Sequence, residues 1–263
     1  QTGVLFVSSA GNNGESGYQS IDSPGNAKLA LTVGSTEKDG QLSVFSSLGP
    51  ILSEEYQKPE IVAPGGKILS LAPDQGVAIH SGTSMAAPHV AGVAALVKQA
   101  KPNLDGQAIK SILTGTIDPL DNTFIKAGSG IVNALNAVSA PLVASKSHVM
   151  LGRIDRGQNV WEASQSFILT NISSSTIVLS PSFAKNTVSA VKLSHNLAET
   201  VEIVPNGQIE VDISAKVDIN ALPQSSEYII QDVFSFVSDS STFNIPVLML
   251  DAIKLRATSE QMP

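Results

Sequence analysis

The stretch from Ser81 to Leu96, SGTSMAAPHVAGVAAL, sets Thr83 and Ser84 between a glycine and a run of small apolar residues. Gly82 lets the backbone turn sharply, and Ala86 and Ala87 allow that turn to pack closely. Pro88 is expected in the first helical turn, where its missing N–H costs little. A serine at such a helix start lies at the positive end of the helix dipole, beside N–H groups that have no intrahelical partner. Those groups are ready donors for the oxyanion that forms when a serine oxygen attacks a carbonyl carbon. Two readings follow: Ser84 is a nucleophile, or it is a capping serine. A nucleophilic serine needs an adjacent base, itself oriented by a carboxylate.

The elements around this stretch read as α/β. LFVSS (5–9) and LALTVGS (29–35) are continuous apolar runs, as parallel strands covered on both faces require, and PEIVAPG (59–65) and GVAIHSG (76–82) read as further short strands. Residues 84–99 suit a helix buried nearly all round and stopped by Pro102. A second helix is predicted over 105–115, capped by Asp105 and ended by Gly115, and a third over 130–138. After Pro141 the hydrophobic period changes from 3.6 to 2, giving strands within 164–173, 175–183, 189–195, 199–214 and 231–250. Pro205-Asn206-Gly207 predicts a hairpin between two of them. The expectation is an α/β domain over 1–140 followed by an all-β sandwich over 141–263.

Bulk properties exclude several function classes. The 263 residues carry a net charge of −7 with no basic block, which argues against nucleic acid as a partner. There is no cysteine, hence no disulfide, thiolate metal site or cysteine nucleophile. The longest small-apolar run, Val90 to Val97, is too short to span a bilayer. The opening QTGVLFVSSAGNNG has no initiator Met and enters a strand almost at once, so the chain reads as a piece of a longer protein.

GTSMAAPHVAGVAALV closely resembles the serine motif of the subtilisin-like serine proteases. SSAGNNG (8–14), DSPGNAKLALTVGST (22–36), LSVFSSLGP (42–50), KPEIVAPGGKI (58–68) and GSGIVNALNA (128–137) resemble further family segments in family order, together covering about residues 1–140. The resemblance implies Ser84 as nucleophile and Asn12 as side-chain donor of the oxyanion hole. It also implies that Ser9, Ala10 and Gly11 form one wall of the pocket for the residue before the scissile bond. Asp22 falls near the pocket floor, where a carboxylate would favour Arg or Lys; the other reading is a turn aspartate bonded to its own backbone.

The family's aspartate and histidine segments lie upstream of its oxyanion asparagine, and neither is found here. His89 lies inside the serine motif, where the resemblance implies a structural histidine facing the packed interior. His80 is placed on a strand end lining the leaving-group side of the cleft, able to touch substrate but aimed away from the serine. His148 and His195 are expected to be solvated. The chain would then carry the second half of a catalytic site, inactive without the N-terminal half of the same protease.

The implied substrate is a polypeptide, with an extracellular or cell-surface location and no cofactor other than calcium, which family members often bind. The spacing from Asn12 to Ser84 leaves no room for an inserted protease-associated domain, and the C-terminal part resembles fibronectin-like modules that follow the catalytic domain. Asn171-Ile172-Ser173 matches a glycosylation sequon. The rival reading is a non-catalytic scaffold or binding protein that keeps the protease fold.

Overall fold

A computed structural model describes residues 3–51, 56–73, 76–120, 124–184, 188–222 and 229–251. The chain divides into two compact units, Gln1–Ala140 and Pro141–Pro263.

The first unit is α/β. Strands β1 (Val7–Ser9), β2 (Leu31–Thr36) and β3 (Ile61–Pro64) form a parallel sheet in the order β1-β2-β3. Every residue of β2 is buried, which accounts for its unbroken apolar and small-residue run. A separate antiparallel ribbon joins β4 (Ile68–Ala72) to β5 (Gly76–His80). β4 was not foreseen, because its leucines alternate with small residues that carry no strand signal of their own.

Helix α1 (Thr83–Ala100) packs on all three strands of the parallel sheet through Thr83, Ala86, Val90, Ala94 and Val97. The expectation of burial nearly all round is overturned. Pro88, Ala91, Gly92, Ala95 and Leu96 are exposed, so the helix is covered on one face only. Pro88 is also the sixth helical residue, not part of the first turn, and the helix runs through it. Lacking an N–H, Pro88 cannot bond the Ser84 carbonyl one turn back. Helix α2 (Gly106–Gly115) starts at Asp105, whose carboxylate accepts from the Ala108 N–H at 2.8 Å. The short helices α3 (Phe124–Ala127) and α4 (Ala134–Ser139) complete the unit; Asn133 caps α4 by accepting from the Asn136 N–H, so the third helix starts four residues later than expected.

The second unit contains β6 (Leu142–Ala144), β7 (Val149–Ile154), β8 (Val160–Asn171), β9 (Ile177–Phe183), β10 (Val191–His195), β11 (Val201–Ile203), β12 (Gln208–Asp218), β13 (Ile229–Val237) and β14 (Thr242–Asp251). They form two sheets, β10-β12-β8-β6 and β11-β9-β13-β14-β7, around one core that includes Phe167, Phe234, Phe236 and Phe243. The hairpin at Pro205-Asn206-Gly207 is a correction. The turn exists, with Asn206 at φ 58° and the Gly207 N–H bonded to Val204 O, but β11 pairs with β9 while β12 pairs with β8 and β10. An Asn-Gly turn fixes a local reversal; it does not decide whether the flanking strands stay in one sheet.

Asn171 is fully buried, and its Nδ2 donates to the carbonyls of Ser175, Ile203 and Val204. The sequon nitrogen is therefore spent inside the fold, tying the end of β8 to β11, and offers no acceptor for a glycan.

Candidate active site

The site begins where β5 meets α1. Gly82 is the residue before the helix, Thr83 the first helical residue and Ser84 the second. Ser84 is therefore not a cap: the residue before the helix is a glycine with no side chain to cap it, and the Ser84 hydroxyl and N–H have no hydrogen-bond partner among the described residues. Its side chain is exposed. The next N–H, of Met85, turns back to Gly82 O at 2.9 Å.

Asn12 stands beside this turn. Its Oδ1 accepts from the Thr83 N–H at 2.9 Å and from the Thr83 hydroxyl at 3.0 Å. The backbone N–H can only donate, so the amide orientation is forced: oxygen toward Thr83, nitrogen away from it. The Nδ2 group donates to nothing among the described residues and lies close to Gly82, where an added Cβ would come within 3.3 Å of it. Thr83 is fully buried, and its Oγ1 also lies 3.2 Å from both the N–H and the carbonyl of Gly11. One hydroxyl thus joins the loop after β1 to the start of α1, and places Asn12 one residue from Ser84. The sequence reading missed Thr83 as a site residue, although its hydroxyl next to Ser84 was a signal.

The three proposed wall residues meet Asp22. Ala10 is buried, and its carbonyl accepts from the Asp22 N–H at 2.9 Å. Gly11, at φ 106°, has no room for a side chain: a Cβ would fall 2.5 Å from Asp22 Oδ2 and 2.8 Å from Ser47 Oγ. Ser9 occupies the end of β1, opposite Val33. The Asp22 carboxylate accepts from Asn13 Nδ2 at 2.7 Å, a partner the sequence reading did not name. Ala10, Gly11, Asn13 and Asp22 form one connected corner, and Asn12 with Thr83 and Ser84 another, joined through Gly11.

His80 ends β5 as an exposed residue opposite Ile68. Among the described residues no hydrogen bond or ion pair joins it to Ser84 or Asn12, though it lies four residues before Ser84 in the chain. His89 does not face a packed interior. It is exposed, and its Nδ1 lies 2.8 Å from Met85 O on its own helix, because the face of α1 that carries it has no cover. His148 and His195 are half-buried, not solvated. The His195 ring packs 4.9 Å from Phe234 and 5.8 Å from Phe183, and its Nδ1 accepts from the Leu197 N–H at 3.2 Å.

Among the described residues no group of three or more His, Asp or Glu could hold a metal ion, and no step is routed through calcium. No helix among them is long and apolar enough to cross a membrane.

The sequence profile of the subtilase family matches residues 1–146. Alkaline elastase YaB of Bacillus sp. (strain YaB) is 42% identical over 133 residues, covering 51% of this chain and 32% of that protein. Subtilisin BL of Lederbergia lenta is 42% identical over 132 residues, covering 50% of this chain and 45% of that protein. Bacillopeptidase F of Bacillus subtilis (strain 168) is 32% identical over 249 residues, 88% of this chain, so its match continues through the β-rich unit; it covers 17% of that protein. The chain thus spans less than half the length of each of these relatives. With a family match over more than half of its residues, the chain belongs to the subtilase family.

Proposed function

We propose that this chain supplies the nucleophile and oxyanion hole of a serine endopeptidase. The supporting observation is a serine hydroxyl with two further unspent donors, Asn12 Nδ2 and the Ser84 N–H, at the helix start that Asn12 holds through Thr83. In the reaction the Ser84 Oγ gives its proton to a base and bonds to the carbonyl carbon of a peptide. Asn12 and the Ser84 N–H donate to the resulting oxyanion. The C–N bond then breaks, the proton passes to the leaving amine, and water hydrolyses the ester on Ser84.

The base and its carboxylate come from the N-terminal half of the same protease, and the chain alone is inactive. Among the described residues, the free edge of β1, the uncovered face of α1 and the exposed Val4, Phe6 and Leu29 support such a partner. The second unit is read as a fibronectin-like β-sandwich, and the whole protein as extracellular or cell-surface. In the full-length protein, a fluorophosphonate is expected to label Ser84 and to leave a Ser84→Ala variant unlabelled. An intact fold with no labelling would mean a scaffold instead.

Asp22 is assigned to the pocket for the residue before the scissile bond, with Ser9–Ala10–Gly11 as one wall and His80 on the leaving-group side. Asn13 occupies one of its carboxylate oxygens and leaves the other for a cationic substrate side chain. A scan of that substrate position in the full-length protein should favour Arg or Lys, by up to about fivefold for one solvent-exposed charge pair. Asp22→Asn should erase the preference. Equal or better cleavage after Phe or Leu would retire the assignment.

A further inference from the structure

The β4–β5 ribbon carries a face that neither the fold nor the proposed chemistry uses. Its register pairs Leu69 with Ile79 and Leu71 with Val77. Side chains alternate along a strand, and cross-strand partners share a face, so these four point to the same side. All are open to solvent, at 62%, 64%, 88% and 68% respectively. The other side carries Ile68, Ala72 and Ala78, all half-buried, together with the exposed Ser70 and His80. Between Ile68 and His80 the only charged residue is Asp74. Aliphatic side chains are costly to leave wet, and an apolar patch of this extent commonly marks a contact surface.

We propose that this face is an accessory binding site for an extended aliphatic segment of the polypeptide substrate. The inference rests on reading Ser84 as the nucleophile, since β5 runs directly into Gly82, Thr83 and Ser84. At about 3.3 Å per residue, Val77 lies roughly 10 Å along the strand from His80, within reach of a substrate held at Ser84. β4 and β5 pair only with each other among the described residues, so each keeps a free edge. An extended segment can add to such an edge by main-chain hydrogen bonds while its alternate side chains join the aliphatic face. Size argues for this occupant over a second copy of the chain. Four side chains present a few hundred Å² at most, whereas a stable dimer buries about 800 Å² on each partner.

The test uses the full-length protein with Ser84→Ala, so that no peptide is consumed. Fluorescein-labelled ten-residue peptides are compared by anisotropy, one built on alternating Leu and Val, the other with Ser in those places. The aliphatic peptide should bind at least tenfold tighter, and Leu71→Ser with Val77→Ser should bring the two within twofold. In the Ser84 protein the same double variant should leave kcat/KM for a two-residue chromogenic substrate unchanged.

Equal binding of both peptides, or a preference that survives the double variant, overturns the proposal. So does a fall of more than several degrees in Tm, which would mean the protein itself covers these side chains. A dimer that the double variant dissolves would assign the face to a second copy. Binding is read without chemistry, so failure of fluorophosphonate labelling at Ser84 would remove the endopeptidase reading and remain distinct from loss of aliphatic binding.

Discussion

Asn12→Asp is expected to lower kcat of the full-length protein by about 10²–10³, with KM within about threefold, as loss of one oxyanion-hole donor does in subtilisin, from which the magnitude is carried over. The variant is chosen because it separates chemistry from structure. Asp keeps an oxygen where Asn12 Oδ1 now accepts from the Thr83 N–H and hydroxyl, so the junction between the β1 loop and α1 is preserved. What changes is the other arm of the side chain. The Nδ2 donor, which nothing in the described fold uses, becomes an acceptor facing a developing negative charge. Thr83→Val inverts the test. It keeps the Thr83 N–H bond to Asn12 but removes the hydroxyl that holds Asn12 and leaves the Gly11 N–H without its acceptor. A smaller loss in kcat, about tenfold, should then accompany a fall in stability of about 1–3 kcal/mol. Steady-state kinetics and thermal denaturation on both variants decide the matter. An Asn12→Asp protein with near-wild-type kcat would remove Asn12 from the oxyanion hole.

How far the sequence reached depended on how local each determinant was. The helix start at Ser84 and the cap at Asp105 rest on residues within a turn of one another, and such signals can be read directly. The Asn12–Thr83 bond joins residues 71 positions apart and was not foreseen; only the family resemblance brought Asn12 and Ser84 to one site. Misreadings fell where an unseen neighbour decides the outcome. The small-residue composition of α1 encodes close packing on every side, yet the described fold covers one side, leaving His89 in the open. The turn at Asn206 was legible, but the sheet each flanking strand joins is decided by core residues far off in sequence. Asn171 gave a motif match that burial cancels, because a three-residue pattern carries no information about depth.

The second large effect is expected in stability, at a cluster the sequence left unremarked because its members, Lys58, Glu60 and Lys110, read there as ordinary charged residues. All three side chains are buried. Both ammonium groups bond the same Glu60 oxygen, Oε1, Lys58 at 2.6 Å and Lys110 at 2.5 Å, and both donate to Ala30 O, at 2.6 Å and 2.9 Å. Glu60 Oε2 accepts from the Thr32 N–H at 2.7 Å, which ties the cluster to the middle strand of the sheet. Two cations on one anion leave a net positive charge in the interior, and burial pulls Lys58 from its ordinary 10.5 down to about 8, against the attraction of Glu60 and with the repulsion of Lys110. Glu60→Gln removes the anion from between two cations and is expected to cost about 3–5 kcal/mol, or roughly 10 °C in Tm. Lys58→Met should act the other way at pH 7, because it removes the surplus charge and leaves the Lys110–Glu60 pair intact. The pH dependence fixes the sign. Between about 8 and 10.5 the unfolded chain holds the Lys58 proton and the folded protein releases it, so the contribution of this group to stability rises with pH across that window. The penalty for burying the charge is fully present below about pH 8 and is relieved by about pH 10.5, an amplitude on the order of 3 kcal/mol. Thermal denaturation of the full-length protein from pH 7 to 10.5 should therefore show a gain relative to Lys58→Met that is lost on lowering the pH. Parallel curves for the two proteins would mean that Lys58 keeps its proton throughout, and that the Glu60 carboxylate balances both of its partners.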